Sequence, residues 1–279
     1  MMTSAEMPSL PGPALLFCPA DRPDRYANAR ATADTVILDL EDGVGADRKD
    51  AARAAILATP LDPARVIVRV NATGIPEHDA DLTALRQTEY RTIMLPKAET
   101  RAQFEGLGGD WRIVALCETP LGIVNAAEIA AASNVIAMMW GAEDLIAAMG
   151  GRTSRFPDGR YRDVARRARS TVLLAASAHG RPAIDSVYLD IPDLDGLAAE
   201  AEDAAASGFT LKACIHPSQA AVVRAAFRAD EAQVAWARRV LDAVRASAGG
   251  PDSGAIRVDG QMIDAPLIRQ AEATLASRD

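Results

Sequence analysis

The chain has 279 residues, of which 49% are hydrophobic and 24% charged, a composition typical of one large folded domain or two small ones. A total of 30 basic and 38 acidic residues gives a formal net charge of −8, and aromatic residues make up only 4%, which argues against nucleic-acid binding. No apolar run approaches the roughly 20 residues of a membrane span, and the first twelve residues lack a signal-peptide pattern. Three widely spaced cysteines without a CxxC pair are typical of reduced thiols, so we expect a soluble cytoplasmic protein.

Short apolar runs recur along the chain and predict eight strands. They lie at residues 14–18, 35–40, 65–71, 92–96, 112–117, 135–140, 186–191 and 211–216. Ala-rich segments with helical spacing lie between most of them, for example at 47–58, 100–107, 122–132 and 194–206. Nearly continuous apolar strands indicate a parallel sheet that is covered on both faces. The size and alternation predict an α/β fold, a (β/α)8 TIM barrel; a doubly wound sheet is less favoured because no GxGxxG follows the first strand.

Two parts of the chain depart from this alternation. The Gly- and Arg-rich segment 150–160 follows the sixth strand, where a barrel places long loops on its catalytic face, and the basic run 160–170 is interpreted as a solvent-facing helix. A long helix predicted at 219–246 is followed by a breaker, the segment VDGQMID and a final helix at 265–276. We therefore expect an N-terminal tail (1–13), a barrel domain (14–248) and a C-terminal helical arm (249–279) that docks on a neighbouring subunit.

Ionisable residues follow every predicted strand, at the end where a barrel carries its chemistry. In chain order they are Arg22 and Arg25, then Asp39, Glu41 and Asp42, then Arg69, Lys97, Glu118, then Glu143 and Asp144, then Asp190 and His216. Eight apolar strands that all end in ionisable residues predict an active site at one rim of the barrel. Asp39 and Asp42 are also consistent with a polar strand end that caps a helix.

The residue types at this rim indicate metal-assisted chemistry. Glu118 and Asp144 are candidate metal ligands, because Mg²⁺ is commonly held by one or two carboxylates, waters and substrate oxygens. Arg69 suits a substrate carboxylate held by two hydrogen bonds, and Glu41 is expected to orient metal-bound waters or Arg69. This combination favours a chelated 2-oxo or 2-hydroxy acid and the cleavage or formation of a carbon–carbon bond beside a carbonyl.

Four other basic residues leave alternatives open. Lys97 could form a Schiff base, but pairing with a rim carboxylate is favoured because Glu118 and Asp144 already supply an electrophilic site. Arg22 and Arg25 either meet the phosphates of coenzyme A or begin a solvated helix. His216 is expected to contact the thioester arm of a substrate or to be a strand-end packing residue, rather than to act as a base.

A set of motifs resembles the citrate lyase β-subunit-like proteins, which belong to the aldolase superfamily with malyl-CoA and citramalyl-CoA lyases. In order, these motifs are LFCPADRPDR, VILDLEDGV, RVIVRVN, IMLPKAE, CETPLGI, GAEDL and ACIHPSQ. The resemblance implies a (β/α)8 barrel, Mg²⁺, and an aldol- or Claisen-type step on an acyl thioester of a hydroxy acid. It also implies metal ligation by Glu118 and Asp144, binding of the substrate carboxylate by Arg69, and substrate contacts from the backbone of Ala142, Glu143 and Asp144.

Members of this family are usually trimers or hexamers in which a C-terminal arm closes the site of a neighbour. In the lyases that act on CoA thioesters an aspartate of that arm takes part in acid–base chemistry, and Asp264 matches its position. The resemblance thus predicts a Mg²⁺-dependent lyase that cleaves or forms a hydroxyacyl-CoA, with a 2-oxo acid and a shorter acyl-CoA as the other reactants. The alternatives are a citrate lyase β-type subunit acting on an acyl-carrier-protein thioester, an acyl-CoA thioesterase, and a non-catalytic thioester-binding protein.

Overall fold

A computed structural model describes residues 10–108, 110–247 and 255–276 of the chain. Eight parallel strands follow one another in chain order around a closed barrel. They are β1 (Ala14–Pro19), β2 (Thr35–Asp39), β3 (Val66–Arg69), β4 (Thr92–Leu95), β5 (Arg112–Cys117), β6 (Val135–Trp140), β7 (Ala183–Asp185) and β8 (Leu211–Cys214). Strand β1 pairs with β2 on one side and β8 on the other, so the sheet closes on itself. The predicted (β/α)8 barrel is confirmed.

Helices alternate with these strands, as the Ala-rich segments predicted. They are α1 (Tyr26–Thr32), α2 (Lys49–Ala58), α3 (Pro76–Leu85), α4 (Arg101–Glu105), α5 (Pro120–Val124), α6 (Ala126–Ala130), α7 (Ala142–Ala148), α8 (Asp163–Ala178), α9 (Leu194–Ser207) and α10 (Pro217–Phe227). Two of these helices have a side-chain N-cap. The side-chain oxygen of Thr119 accepts a hydrogen bond from a backbone N–H in the first turn of α5, and a side-chain oxygen of Asp193 does the same in the first turn of α9.

The interior of the barrel is filled by apolar side chains from alternate strand positions. They include Leu15, Ile37, Ile67, Met94, Val114, Leu116, Ala137, Met139, Ile184, Leu211 and Ala213. The alternation follows from the pleat of a strand, which turns successive side chains to opposite faces. The barrel is therefore a packed core, and polar residues that continue the inward-facing alternation emerge at its carboxyl rim.

The seventh strand lies upstream of its predicted position. The prediction of a strand at 186–191 is wrong, because β7 covers Ala183–Asp185 and pairs with both β6 and β8. Leu189 and Ile191, which gave the later segment its strand-like pattern, are exposed. Apolar alternation alone does not distinguish a buried strand from a loop, whereas pairing with two neighbours in a closed barrel does.

The predicted helix at 122–132 is also wrong in detail. Two short helices, α5 and α6, cover this region and are separated at Asn125. The Asn125 side chain donates a hydrogen bond to the carbonyl of Glu99 at 2.8 Å. This contact fixes the break between the two helices, and it joins residues too far apart in sequence for helical periodicity to reveal it.

The single helix predicted at 219–246 is wrong as well. Helix α10 ends at Phe227, and a second helix, α11 (Glu231–Ala246), begins after Asp230. Asp230 and Gln233 form a capping box, in which each side chain accepts a backbone N–H of the other residue. That pattern is a helix-start signal, and it marks the position at which the long periodic run is interrupted.

The chain divides between Val223 and Arg224 into two compact units, whereas the sequence placed the boundary after residue 248. In the C-terminal unit α11 is followed by an antiparallel hairpin, β9 (Ile256–Val258) and β10 (Gln261–Ile263), and by α12 (Ala265–Ala276). Its apolar core comprises Ala237, Val240, Val244, Val258, Ile263, Ile268 and Ala271. The final helix predicted at 265–276 is confirmed. Most of the predicted breaker and of the tail (1–13) lies outside the described residues.

No helix in the described ranges is long and apolar enough to cross a membrane. Cys18, Cys117 and Cys214 lie buried on β1, β5 and β8. Burial raises the pKa of Cys18 to about 11 and that of Cys117 to about 12, so both thiols stay protonated near neutral pH. The cysteines therefore fill apolar strand positions, as predicted.

Candidate active site

Three polar side chains continue the inward-facing alternation at the carboxyl rim of the barrel. Asp39, Arg69 and Glu118 each come two residues after an apolar residue of the barrel core. Because strand side chains alternate with a period of two, all three are directed toward the mouth of the barrel. Asp39 and Arg69 are also register partners on the adjacent strands β2 and β3.

Arg69 is held between two carboxylates. Its Nε and Nη2 donate hydrogen bonds to the two carboxylate oxygens of Asp39, at 2.7 and 2.6 Å. Its Nη1 lies 2.9 Å from Oε2 of Glu41, and the guanidinium carbon lies 4.9 Å from the centre of the Phe17 ring. Burial by itself would lower the pKa of Arg69, but Asp39 and Glu41 more than offset this effect and hold the pKa above its ordinary value. Arg69 is thus a charged group fixed in one orientation.

The turn after β2 is built around the same aspartate. The carboxylate oxygens of Asp39 accept the backbone N–H groups of Glu41 and Gly43, each at 2.9 Å. A Cβ at position 43 would lie 2.3 Å from Oδ2 of Asp39, so only glycine fits this turn. Lys49 donates hydrogen bonds to the carbonyls of Leu40 and Glu41, both at 2.6 Å. Together these contacts fix the backbone that carries Glu41 to the rim.

Lys97, two residues after β4, lies among the rim carboxylates. Its ammonium contacts Oε1 of Glu41 and lies 3.8 Å from Oδ1 of Asp144 and 3.9 Å from Oε1 of Glu118. The backbone N–H of Lys97 donates to the same oxygen of Glu118, at 3.1 Å. Lys97 has a φ of 51°, a left-handed conformation that is uncommon for a residue with a Cβ. The geometry agrees with the favoured interpretation of Lys97 as the partner of a rim carboxylate.

Glu118, directly after β5, is only 3% exposed. Burial raises its pKa to about 8, and the nearby carboxylates of Asp144 and Glu41 add to this effect, while Lys97 opposes it. The side chain packs against Gly141, where a Cβ would lie 2.8 Å from both Cβ and Oε2 of Glu118. The absence of a side chain at position 141 therefore provides the space in which the Glu118 carboxylate sits.

Asp144 lies in the first turn of α7, directly after β6, and its side chain is half-exposed and faces Lys97. The two preceding residues are placed differently. Ala142 is buried, and Glu143 accepts a hydrogen bond from the hydroxyl of Ser154 at 2.6 Å. The Glu143 side chain is therefore bound to the following loop, so among these three predicted residues the carboxylate that lies beside the rim ammonium is that of Asp144.

The predicted coenzyme-binding residues make local contacts. Arg22 donates to both carboxylate oxygens of Asp24, at 3.0 and 2.8 Å, and Arg25 is exposed at the end of a short 3-10 turn. His216 is exposed, and its Nδ1 accepts the backbone N–H of Ser218 at 3.2 Å and lies 2.8 Å from the Ser218 hydroxyl. The side chains of Arg22 and Arg25 therefore lie at the surface, and the imidazole of His216 is bound to Ser218 at the start of α10.

The prediction that Asp190 ends the seventh strand is wrong, because it is exposed in the loop beyond β7. The aspartate at the end of β7 is Asp185, which is fully buried and accepts hydrogen bonds from Trp140 at 2.7 Å and from Lys212 and Arg169 at 2.9 Å. Sequence reasoning missed this cluster. Arg169 belongs to the basic run that was predicted to face solvent. That prediction is wrong for this residue, because its guanidinium is bound to the buried Asp185.

The sequence did not assign a role in the site to two residues that shape it. Asp39 was placed at the rim, with a polar strand end that caps a helix as the alternative, and Gly141 was overlooked. Both have a signal in the strand period, since Asp39 comes two residues after inward-facing Ile37 and Gly141 two residues after inward-facing Met139. A count along the inner face therefore predicts their direction, although not their partners.

Known proteins share this barrel and its motifs. Residues 14–217 match the HpcH/HpaI aldolase/citrate lyase family. A citrate lyase subunit beta-like protein of Mycobacterium tuberculosis is 57% identical over 264 residues, which cover 95% of this chain and 94% of the relative. A crystal structure of CitE from Mycobacterium tuberculosis in complex with magnesium, acetoacetate and coenzyme A has 56% sequence identity and a TM-score of 0.91, and the match covers 96% of this chain and 98% of that one.

A more distant relative is named for a different reaction. The (3S)-malyl-CoA thioesterase of Cereibacter sphaeroides is 34% identical over 275 residues, which cover 95% of this chain and 94% of the relative. The family match includes all eight strands of the barrel and every rim residue described above except Ser218. The family predicted from the sequence motifs is confirmed: the chain belongs to the HpcH/HpaI aldolase/citrate lyase family and is a lyase.

Proposed function

We propose that the chain is a Mg²⁺-dependent carbon–carbon lyase acting on a hydroxyacyl-CoA thioester such as malyl-CoA or citramalyl-CoA. Cleavage would give a 2-oxo acid and a shorter acyl-CoA, and the enzyme would also catalyse the reverse condensation. The observation that carries the proposal is the pair of carboxylates of Glu118 and Asp144 at one rim, beside an arginine held rigidly by Asp39. The magnesium, acetoacetate and coenzyme A bound by the similar CitE structure support this choice of metal and thioester.

The residues at this rim fit a divalent cation. Burial and the neighbouring carboxylates raise the pKa of Glu118 to about 8, so nearby positive charges do not fully offset the cost of ionising this carboxyl group. A bound cation would stabilise the ionised form. In the described part of the chain no group of three or more His, Cys, Asp or Glu residues is arranged to hold a metal. A site with two protein carboxylates, here Glu118 and Asp144, is typical of Mg²⁺, an ion that keeps several waters and takes further oxygens from its substrate.

Arg69 is proposed to hold the carboxylate of the hydroxy acid portion. A guanidinium has five N–H groups. Two are bound by Asp39, and Nη1 also faces Oε2 of Glu41 at 2.9 Å, so one N–H on Nη1 and one on Nη2 are left for a ligand. Because Asp39 fixes the plane of the guanidinium, the substrate carboxylate would be held in one orientation. When bound at Glu118 and Asp144, Mg²⁺ would supply Lewis-acid polarisation of the substrate oxygen beside that carboxylate.

Asp264 is proposed as the acid–base group, contributed by the arm of a neighbouring copy in a homotrimer or hexamer. It follows β10, and its carbonyl accepts the N–H of Ile268 at the start of α12. In the cleavage direction Asp264 would take the proton of the substrate hydroxyl as the carbon–carbon bond breaks. The electron pair of that bond passes to the thioester fragment as its enolate, and a proton delivered to the same carbon completes the shorter acyl-CoA.

The coenzyme is proposed to lie across the basic residues outside the carboxylate cluster. Arg22 and Arg25 offer guanidinium groups to the phosphates of coenzyme A, and His216 offers its Nε2 to the thioester arm. Arg25 and His216 are exposed, and the side chain of Arg22 is 43% exposed, which supports this assignment because a long and highly charged ligand needs accessible partners.

The proposal is tested with a panel of hydroxyacyl-CoA thioesters, with Mg²⁺ or with EDTA, by separate assays for 2-oxo acid and for free CoA. We expect Mg²⁺-dependent formation of a 2-oxo acid with an intact shorter acyl-CoA, and its loss in Glu118→Gln and Asp144→Asn. Glu105→Gln, which removes an exposed carboxylate paired with Arg101, serves as the control and should retain full activity. Full turnover in both rim variants, or in EDTA, would overturn the proposal.

A thioesterase is the second candidate, favoured by the relative that is named (3S)-malyl-CoA thioesterase. In that reaction water attacks the thioester carbonyl, the C–S bond breaks, and free CoA leaves with the hydroxy acid. Release of CoA without any 2-oxo acid would therefore identify it. If no thioester of the panel gives a product and an acyl-carrier protein co-purifies with the chain, the chain would instead be a citrate lyase β-type subunit or a non-catalytic binding protein.

A further inference from the structure

Four carboxylates surround the ammonium of Lys97 within 4.0 Å. They belong to Glu41, in direct contact, and to Asp144, Glu118 and Asp42, at 3.8, 3.9 and 4.0 Å. With every group ionised, four negative charges face this ammonium, while the guanidinium of Arg69 is bound by Asp39 and lies 2.9 Å from Glu41. Lys97 is therefore the cation, among the described residues, whose charge lies within 4.0 Å of both proposed metal ligands.

Backbone contacts hold Lys97 in this position. Its left-handed conformation persists although it is unfavourable for a residue with a Cβ, which indicates that the surrounding structure enforces it. The Lys97 N–H donates to Oε1 of Glu118, and its carbonyl accepts a hydrogen bond from Nε2 of Gln103 at 3.3 Å. The same Nε2 also donates to the hydroxyl of Thr73 at 2.8 Å. Hydrogen bonds at both the N–H and the carbonyl of Lys97 thus fix the backbone from which its ammonium reaches the carboxylates.

A divalent cation and this ammonium compete for the same oxygens. Mg²⁺ binds carboxylate oxygens at about 2.0–2.1 Å, and the Lys97 ammonium already lies within 4 Å of an oxygen of each proposed ligand. Two like charges so close together repel, more strongly in a partly buried site than in water. A negatively charged substrate would offset this repulsion, so metal and substrate should each strengthen the binding of the other.

We infer that Lys97 is a positioning residue that weakens Mg²⁺ binding to Glu118 and Asp144 until an anionic substrate is present. The inference rests on the metal site of the proposed function and adds to it a coupling between metal binding and substrate binding. Lys97 holds the carboxylates in place while the metal is absent, and Mg²⁺ binds tightly only when the carboxylate of the substrate binds as well.

The test is isothermal titration calorimetry with MgCl₂, with and without acetoacetate, on the purified full-length protein. Lys97→Met removes the charge and keeps most of the side-chain volume, and Lys97→Arg keeps the charge. Arg101→Met, which removes an exposed cation from the pair with Glu105, is the matched control for lost net charge. We expect Lys97→Met to bind Mg²⁺ about tenfold more tightly than wild type without acetoacetate and to gain less affinity when it is added. Lys97→Arg and Arg101→Met should behave as wild type.

Unchanged or weaker Mg²⁺ binding in Lys97→Met would overturn the inference. Circular dichroism establishes whether the variant is folded, and Lys97→Gln provides the same comparison if the methionine variant is not. If wild type, variant and control all fail to bind Mg²⁺ with acetoacetate present, the metal site itself is wrong. Binding of equal strength in all of them would leave the metal site in place and refute only the role of Lys97.

Discussion

Asp39 accepts the two hydrogen bonds that orient the guanidinium of Arg69, from Nε at 2.7 Å and from Nη2 at 2.6 Å. The two residues are register partners on neighbouring parallel strands, and both continue the inner face of the barrel. The same carboxylate also accepts the N–H groups of Glu41 and Gly43. One buried aspartate therefore fixes both the proposed carboxylate-binding arginine and the turn that carries Glu41, and strand register sets the geometry of the site.

Replacement of Asp39 should disturb this geometry. Asp39→Asn keeps the size of the side chain but places an amide N–H₂ where an oxygen now accepts hydrogen bonds. We expect kcat/KM to fall about 10–100-fold, mainly through a higher KM, because Arg69 loses its orientation. The free energy of unfolding should fall by about 3–5 kcal/mol, since a buried charge pair loses one partner. Steady-state kinetics and urea unfolding measure the two effects.

The control for that change is Asp242→Asn, which removes one partner of an exposed ion pair with Arg245 in the C-terminal unit. Exposed pairs contribute about 0–1 kcal/mol, so this variant should resemble wild type in both measurements. Wild-type kinetics in Asp39→Asn would show that Arg69 does not depend on Asp39 for its function.

Gly141→Ala should weaken metal binding. The added Cβ would lie 2.8 Å from both Cβ and Oε2 of Glu118, so the whole Glu118 side chain must shift, at a cost of about 1–3 kcal/mol in stability. The φ of Gly141 is −119°, which alanine adopts without strain. We expect about tenfold weaker Mg²⁺ binding in calorimetry and a comparable loss of kcat/KM. Gly106→Ala, at the exposed end of α4 with its nearest neighbour at 3.3 Å, is the control, and equal Mg²⁺ affinity in the two variants would contradict the prediction.

The proposed sharing of the arm predicts complementation between two inactive variants. Glu118→Gln disables the barrel site and leaves the arm intact, whereas Asp264→Asn does the reverse. If the arm of one copy completes the site of another, random mixing should recover activity at about a quarter of all sites, which is about a third of the sites in trimers that contain both variants. Co-expression with two different affinity tags and assay of the doubly purified oligomer measure this recovery. A mixed oligomer without activity would exclude Asp264 as a group donated between subunits.

The buried cluster around Asp185 predicts a pH-dependent share of the stability. Burial by itself would raise the pKa of Asp185, but Lys212 and Arg169 more than offset it and hold the pKa below its ordinary value of 3.8. A lowered pKa in the folded state stabilises the protein above the unfolded-state pKa, and this contribution is lost as the pH falls through the folded-state value. Asp185→Asn should therefore cost about 3–5 kcal/mol at pH 7, because the buried Lys212 loses one of its two charge partners and keeps only Glu200, whose Oε1 lies 3.1 Å from the ammonium.

Urea unfolding of wild type and Asp185→Asn between pH 7 and pH 3 measures that share. The difference between the two proteins should be constant above about pH 5 and should shrink as the pH falls below the ordinary aspartate value. The exposed Asp158→Asn, which pairs with Arg160, is the matched control. A difference that stays constant down to pH 3 would show that the cluster stabilises the fold by packing and not by charge.

Local patterns explain the correct predictions. Strands such as β2 and β3 consist of apolar, β-branched residues, and these residues form strands wherever they are buried on both faces. The charged residues that follow them mark the strand ends, so Glu118, Asp144 and Arg69 could be assigned to one rim from the sequence. The errors lie where local pattern and burial disagree, as at β7, where residues 186–191, of which 189–191 are exposed, have a stronger strand pattern than the buried Ala183–Asp185.

The sequence by itself determined the barrel and most of the residues at its carboxyl rim, with Asp190 as an exception, because a period of two and the charge at a strand end are properties of neighbouring residues. Only the tertiary structure decided which rim residues touch. Asp39 meets Arg69 because of strand register, and Lys97 meets Glu41 and Glu118 because its backbone takes a left-handed conformation. These partners are 21 to 56 residues apart along the chain, and closure of the barrel brings them within a few ångströms of one another.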